Sequence, residues 1–391
     1  MTDGHVPVFY VRRYVREYMT VFTEPVLWYD CIVIFCEVVN MSKLNIALLF
    51  GGMSSEHEVS RVSSAAIYEN LNKEKYEIYK VGMTKDGRWF LTEASPDEMK
   101  DGSWETKESN IPAFISPDRN SKGLVTNDGI IPIDCVFLGV HGRNCEDGVL
   151  QGLLELSGIP YTGPGVTSSA CSMDKSVTKL IAAKAGIDQA DFELVTRREV
   201  EENIEDACDR VETHFGGKYP FFIKPANEGS SVGISKAHDR EELSRGLRSA
   251  AVYDSRILVE ETIKGREIET AVLGNDNLEV AKIGEVLAAN EFYDYEAKYA
   301  DIGSETVMVD DISSELEDKI RETAKAVFRA MGCRGYSRID FFLTEDGRVI
   351  LNELNTLPGF TSISMYPAMW QASGLPYSDL LDRIIELAME K

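Results

Sequence analysis

Two strand-like runs close to the C-terminal end, Tyr336-Ser-Arg-Ile-Asp-Phe-Phe-Leu-Thr344 and Arg348-Val-Ile-Leu-Asn-Glu-Leu-Asn355, are separated only by Glu345-Asp-Gly347. Bulky β-formers on either side of an Asp-Gly pair predict a hairpin. With Asp346-Gly347 as a two-residue turn, Glu345 faces Arg348, Asp340 lies opposite Glu353 and Arg338 lies opposite Asn355. The period of two then puts all four side chains of the last two pairs on one face. Carboxylates placed directly opposite each other repel unless something positive sits between them. Two acids and an amide oxygen suit a hard, oxygen-seeking cation such as Mg²⁺, which commonly brings substrate phosphates with it. The competing reading is a solvated acid pair on an open sheet face, and the strongly apolar flanking positions weigh against it.

The chain has 391 residues, long enough for two or three domains with cores of their own. Its 41 Lys+Arg against 65 Asp+Glu leave a net charge of −24. So acidic a surface repels nucleic acid phosphates and anionic lipid headgroups, which disfavours a role on either. The seven cysteines are scattered without a C-x-x-C pair, as expected for reduced thiols in a cytoplasmic protein. The five histidines are too dispersed for a His-based metal cluster, so a metal here must sit on oxygen.

Residues 1–40 differ from the rest, with 24 apolar residues, eight of them aromatic, and neither Lys nor Ala. Arg12, Arg13 and Arg16 are followed by Glu17, Glu24, Asp30 and Glu37, which does not fit a signal peptide. The run Cys31 to Cys36 is far short of the roughly 20 apolar residues of a membrane span. This segment reads as an atypical extension ahead of Met41, dispensable for activity, with no membrane insertion expected.

From there, Leu44 to Phe50 is a buried strand ending in Gly51-Gly52. A helix from Ser60 to Leu71 follows, with Val62, Ala65, Ala66 and Leu71 as its apolar positions. A second strand, Ile133 to Val140, ends in the loop His141 to Gly148 before a helix from Val149 to Leu156; open α/β sheets bind ligands at such strand ends. Residues 84–130 between them read as irregular hairpin insertions. Asp174 caps a helix from Lys175 to Ala185. Strands are expected at Phe221–Pro225, Gly233–Lys236, Ile257–Glu260, Glu267–Leu273 and Val280–Val286. A capping box at Ser314 and Glu317 opens a helix that Gly332 stops.

Lys224 lies on a strand entering Glu228-Gly-Ser-Ser-Val-Gly233, a loop able to turn backbone N–H groups toward phosphate oxygens. Lys175 stands in a first helical turn, where the helix dipole disfavours a cation and an anionic ligand would explain it. Neither G-x-x-x-x-G-K-[ST] nor G-x-G-x-x-G is present. Together with Gly51-Gly-Met-Ser-Ser-Glu-His-Glu-Val-Ser60, His141-Gly-Arg-Asn-Cys-Glu-Asp-Gly148, Met173-Asp-Lys175, Phe292-Tyr-Asp-Tyr-Glu-Ala-Lys-Tyr299 and Asn352-Glu-Leu-Asn-Thr-Leu-Pro-Gly-Phe-Thr-Ser-Ile-Ser364, these segments resemble the ATP-grasp enzymes, and more closely the D-alanine–D-alanine ligases. The resemblance runs from about Leu44 to the end of the chain.

It implies a three-domain ATP-grasp fold of α/β (α+β) class. Residues 41–162 would form an open α/β substrate domain, and residues 163–258 and 259–391 two α+β parts with ATP between them. It also implies a two-step reaction in which one D-alanine carboxylate takes the ATP γ-phosphate and the amine of a second D-alanine attacks the acyl phosphate. Asp340, Glu353 and Asn355 would hold two Mg²⁺ or Mn²⁺ ions. Lys175, Lys224 and Lys298 would meet phosphates, with Ser230 and Ser231 in the covering loop, and Glu260, Glu261 and Glu267 on the adenine and ribose side. Arg338 and the Gly359 N–H would stabilise the oxyanion. Glu56 would bind the first ammonium with His141 near its carboxylate, Ser364 would hold the second carboxylate, and Glu56, Ser230 and Tyr299 would form a hydrogen-bonded triad. Residues 292–309 would be a lid, and a homodimer is expected.

The chain departs from the family pattern at Cys145, where Gly is common, and at Glu261, where some members have Lys. Within the family, D-serine or D-lactate is the alternative second substrate. The run Tyr293-Asp-Tyr-Glu-Ala-Lys-Tyr299 favours D-alanine. A non-catalytic nucleotide-binding module would need neither Arg338 nor Glu56, and His57 has no expected role beyond that of an exposed loop residue.

Overall fold

The apolar run at Leu44 becomes strand β1 (Leu44–Gly51), whose residues Ile46 to Phe50 are fully buried in the computed structural model, which describes residues 43–229, 232–287 and 305–390. β1 runs parallel to β2 (Tyr76–Met83) on one side and β7 (Cys135–Leu138) on the other. It ends in two positive-φ glycines, Gly51 at +83° and Gly52 at +108°. A Cβ on Gly51 would fall 2.2 Å from the Met83 carbonyl oxygen, so the turn at the strand end admits no side chain there.

Helix α1 (His57–Asn70) buries Ala65 and Ile67, with Leu71 just past its end, as its aliphatic spacing suggests, but it buries a seam of serines as well. Val62 is 36% exposed, whereas Ser60, Ser63 and Ser64 are fully buried. The helix packs Ile67 against the apolar sheet and also closes over the strand ends, where small hydroxyls satisfy the backbone. The Ser60 hydroxyl accepts from the Gly51 N–H at 2.8 Å and donates to the Gly139 carbonyl at 2.8 Å, and that of Ser64 donates to the same carbonyl at 2.7 Å. His57 is also buried rather than exposed. Its Nδ1 lies 2.8 Å from the Gly52 carbonyl and its Nε2 3.2 Å from Glu105.

Residues 84–130 are more regular than expected. β3 (Trp89–Leu91), β4 (Ile111–Ile115), β5 (Gly123–Thr126) and β6 (Gly129–Pro132) extend the first sheet as an antiparallel meander in the order β6-β5-β4-β3-β2-β1-β7. The short α2 (Pro96–Asp101) between them carries a complete Ser95–Glu98 capping box. The following turn buries Trp104 edge-on against Phe50, with ring centroids 4.8 Å apart. α3 (Val149–Ser157) follows the His141 loop, and α4 (Val166–Met173) leads to α5 (Lys175–Lys184), capped by Asp174 as expected.

A second, antiparallel sheet contains β8 (Phe192–Thr196), β9 (Phe221–Pro225), β10 (Ser235–Ala237) and β11 (Arg256–Glu261), in the order β10-β9-β11-β8. α6 (Arg197–Phe215) and α7 (Arg240–Tyr253) pack against it. The third sheet joins β12 (Arg266–Gly274), β13 (Glu279–Val280), β14 (Gly284–Leu287), β15 (Glu305–Met308), β16 (Gly335–Leu343) and β17 (Val349–Asn355). The single strand expected over residues 280–286 is therefore two, because β13 and β14 pair with β12 at separate places. Of the expected lid, residues 292–304 lie outside the described part, and 305–308 form β15 at the sheet edge.

α8 (Ser314–Ala330) is capped one residue earlier than expected, the Ser313 hydroxyl accepting from the Leu316 N–H at 3.2 Å. Gly332, at φ +65°, stands just past its end as anticipated. α9 (Met365–Ala372) and α10 (Tyr377–Met389) complete the chain. Their Tyr366, Trp370, Leu380 and Ile384 share one core with Ile46 and Phe137 of the first sheet. Likewise Ala182 of α5 packs with Ile339 and Leu351 of the third sheet. Such exchanges of core side chains bind residues 44–391 into one unit. Among the described residues no helix is long and apolar enough to cross a membrane.

Candidate active site

Asp340 lies opposite Glu353 and Arg338 opposite Asn355 across β16 and β17, as the hairpin pattern predicts, but by another route. The turn is one residue longer than expected. Thr344, not Glu345, pairs with Arg348, its N–H donating to the Arg348 carbonyl at 3.1 Å, and Glu345-Asp346-Gly347 forms a three-residue loop with Gly347 at φ +77°. The Thr344 hydroxyl, bonded to Asp346, also accepts the Arg348 N–H at 3.0 Å and so favours the longer loop. A bulge between Asp340 and Phe341 then leaves Asn352 as the spare residue. The extra residue in the turn and the extra residue in the bulge cancel, and the acids face each other after all.

The positive group that their repulsion requires is Arg338. Its Nε and Nη2 donate to the two Asp340 carboxylate oxygens at 2.8 and 2.6 Å, and Nε lies 3.4 Å from Glu269. Burial disfavours the guanidinium charge, but Asp340, Glu269 and Glu353 outweigh it and hold the Arg338 pKa well above its ordinary value. Asn355 donates to Asp340 at 3.0 Å. Two carboxylates and an amide make an all-oxygen donor set that fits Mg²⁺ or Mn²⁺. Among the described residues no group of three or more His, Cys, Asp or Glu side chains is placed to hold a metal.

The second sheet faces this ribbon through Lys224 on β9. Its Nζ is 2.5 Å from Glu260 Oε2 and 3.5 Å from Asn352 Oδ1. The other Glu260 oxygen lies 2.8 Å from Nζ of Lys179, which is 4% exposed and also donates to the Ala190 carbonyl at 3.1 Å. Burial pushes the Glu260 carboxyl up, yet Lys224 and Lys179 overcome it and hold its pKa at about 2. Two ammonium groups on one carboxylate leave this wall of the cleft positive, suited to phosphate. Lys179 escaped the sequence reading. Its signal was a like-charged i, i+4 pair with Lys175, which is unfavourable on an open helix face.

Lys175 holds the start of the Gly-Ser loop. Its backbone N–H donates to the Ala226 carbonyl at 3.0 Å and its ammonium to the Glu228 carbonyl at 2.6 Å. Glu261 is exposed, and its side chain accepts from the Asp191 N–H at 2.9 Å. Glu267 on β12 stands in register with Val286 and Phe342. Ser230, Ser231, Lys298 and Tyr299 fall outside the described residues.

At the other end of the cleft, Glu56 precedes α1. Side-chain positions built on Gly142 and Gly229 would come within 2.6 and 3.2 Å of its Oε2, so its carboxylate sits where the His141 and Gly-Ser loops meet. His141 is buried, with Nδ1 2.9 Å from the Leu357 carbonyl and Nε2 3.1 Å from the Ser63 hydroxyl. Burial opposes its charge, but the carboxylates of Glu146 and Glu56 prevail and raise its pKa. Ser364 accepts from the Thr361 N–H at 3.0 Å, and a Cβ on Gly359 would come 2.8 Å from the Ser364 hydroxyl. A side chain at Gly359 would therefore crowd the Ser364 hydroxyl, while the backbone angle there makes no demand for glycine. Cys145 is buried without a positive φ, so this backbone does not need the glycine common at its position.

The D-ala D-ala ligase N-terminus family model matches residues 45–164, and the D-ala D-ala ligase C-terminus model matches residues 181–386. The D-alanine–D-alanine ligase of Ruminiclostridium cellulolyticum is 47% identical over 365 residues, covering 90% of this chain and 96% of the relative. That of Caldicellulosiruptor bescii is 48% identical over 356 residues, with the same coverage of each chain, 90% and 96%. Among solved structures, VanG D-Ala:D-Ser ligase from Enterococcus faecalis superposes with a TM-score of 0.80 at 38% identity, covering 89% of this chain and all of that one. The D-alanine–D-alanine ligase from Coxiella burnetii gives 0.77 at 36% identity, with coverages of 89% and 96%.

Proposed function

This chain belongs to the D-alanine–D-alanine ligase family, and we propose that it joins two D-alanine molecules into D-alanyl-D-alanine for cell-wall precursor synthesis, converting ATP to ADP and phosphate. A free carboxylate is a poor acyl donor because its oxygen is a poor leaving group. Transfer of the γ-phosphoryl group makes it one, and the amine of the second D-alanine then displaces phosphate through a tetrahedral intermediate.

In this reading Lys175 and Lys224, with Lys298, Ser230 and Ser231, orient the phosphates, and Glu260, Glu261 and Glu267 line the adenine and ribose side. Asp340, Glu353 and Asn355 would hold two Mg²⁺ or Mn²⁺ ions, which neutralise phosphate oxygens when bound. Glu56 takes the first ammonium, His141 sits by the first carboxylate, and Ser364 takes the second. Tyr299 completes a triad with Glu56 and Ser230. Arg338 and the Gly359 N–H receive the oxyanion, where loss of one donor typically costs about 10²–10³ in rate. Residues 41–162 supply the amino-acid side, while 163–258 and 259–391 close over the nucleotide. The active species is a homodimer in the cytoplasm.

The observation that carries this reading is the meeting of a positive wall, Lys224 and Lys179 on Glu260, with the acid ribbon through Asn352. The kinship with a D-Ala:D-Ser ligase makes D-serine the second candidate acceptor. Incubation with ATP, Mg²⁺ and D-alanine, alone or with D-serine or D-lactate, followed by mass identification of products, is expected to give D-alanyl-D-alanine in every mixture. Predominance of D-alanyl-D-serine or of a depsipeptide would overturn the assignment.

A further inference from the structure

Ser63 sits in the second turn of α1, fully buried, between His141 and the loop that carries Gly359. Its hydroxyl is 3.1 Å from His141 Nε2 and accepts the Phe360 N–H at 3.2 Å. A Cβ built on Gly359 would lie 3.9 Å from the same oxygen. The hydrogen at the far end of this relay is fixed by its partner. The Leu357 carbonyl, 2.9 Å from His141 Nδ1, can only accept, so Nδ1 carries a hydrogen. Nε2, the other ring nitrogen, is bonded to the Ser63 hydroxyl, which also accepts the Phe360 N–H. The backbone is therefore gripped two residues before Gly359 by His141 and one residue after it by Ser63.

We propose that Ser63 is a positioning residue for acyl transfer, holding the Gly359 amide at the oxyanion and locking His141 in a single ring orientation beside the first substrate. The proposal rests on the ligase reading above. It separates the two chemical steps. Phosphoryl transfer to the first D-alanine depends on the lysines and the acid ribbon, on the other side of the cleft, whereas collapse of the acyl phosphate onto the amine depends on the oxyanion donors. Loss of the Ser63 hydroxyl therefore slows the second step and spares the first.

The test measures the two steps separately in Ser63→Ala, Ser63→Cys and Ser63→Thr. Acyl phosphate is trapped with hydroxylamine, which displaces inorganic phosphate and yields D-alanine hydroxamate, and dipeptide is measured without the trap. Ser63→Ala is expected to lower kcat for dipeptide by about 10–10²-fold, part of the loss seen when an oxyanion donor is removed outright. Hydroxamate formation and KM for ATP should stay within about threefold, changes too small to reflect a lost step in the chemistry. Ser63→Cys, of nearly the same shape with a weaker hydrogen bond, should fall between, and Ser63→Thr should recover most of the rate. Equal losses in hydroxamate and dipeptide, or a Ser63→Cys protein with full dipeptide rate, would overturn the proposal. Wild-type protein that makes no dipeptide would instead overturn the ligase reading.

Discussion

Arg338 and Asp340, two residues apart on β16, hold each other through a two-pronged ion pair of 2.8 and 2.6 Å. A planar guanidinium matches a carboxylate in this way and a lysine does not. Arg338 thereby balances the acid ribbon, and in the proposed reaction it would also receive the developing oxyanion. Arg338→Lys is predicted to cut kcat by about 10²–10³-fold, the loss typical of one oxyanion donor. Steady-state ADP release at saturating ATP and D-alanine checks this, together with circular dichroism to show the fold intact.

The all-oxygen donor set of Asp340, Glu353 and Asn355 predicts strict dependence on a hard divalent ion. Activity should vanish in excess EDTA and return with Mg²⁺ or Mn²⁺. Asp340→Asn should require a metal concentration higher by at least about tenfold, the usual scale for loss of a site's charged partners.

Lys179 links stability to pH through Glu260. The Glu260 carboxyl titrates at about 2 in the fold against an ordinary 4.5, because Lys224 and Lys179 together outweigh its burial. A depressed carboxyl pKa stabilises the fold fully above the unfolded value, and that stabilisation is lost as pH falls toward the folded one. Lys179→Met should destabilise the protein at neutral pH by less than the roughly 3–5 kcal/mol of a buried charge left wholly unpaired, since Lys224 remains. Urea unfolding should show the gap from wild type narrowing as pH drops from 4.5 toward 2.

Cys145→Gly restores the residue common in relatives at a site whose backbone lacks a positive φ. Activity should stay within about twofold, while stability falls by roughly 1–3 kcal/mol from the lost burial of the thiol side chain and the added freedom of glycine in the unfolded chain. Urea midpoints alongside ADP release distinguish the two effects.

Gly347 stands at φ +77° with no atom near the place a Cβ would occupy. Gly347→Ala should therefore cost about 1–2 kcal/mol of backbone strain and nothing in packing. Thermal melts should record the loss, and kcat should be unchanged because the bulge separates the tip from the acids.

What the sequence made legible was local and periodic. The buried run at Leu44, the Asp174 cap and the alternation through Asp340 and Glu353 each follow from nearest-neighbour physics, and each stands in the structure. Interactions that depend on distant partners did not show. The serine seam of α1 reads as its solvent side until the strand-end carbonyls at Gly139 are set against it. Lys179 resembles a surface lysine until Glu260, on β11, is brought under it. His57 and Ser63 were hidden for the same reason, their partners being Glu105, His141 and Phe360. The one-residue disagreement in the hairpin turn left the acid register correct only because the bulge reversed it.

That bulge also adds a group to the cleft. In an unbroken strand Asn352 and Glu353 would point to opposite faces, and the asparagine would be lost to the far side of the ribbon. With one residue left over, the two halves of β17 run out of phase, and the amide of Asn352 comes to rest 3.5 Å from the Lys224 ammonium. A miscount in the weave thus gives the lysine wall a contact with the acid ribbon that regular pleating would have withheld.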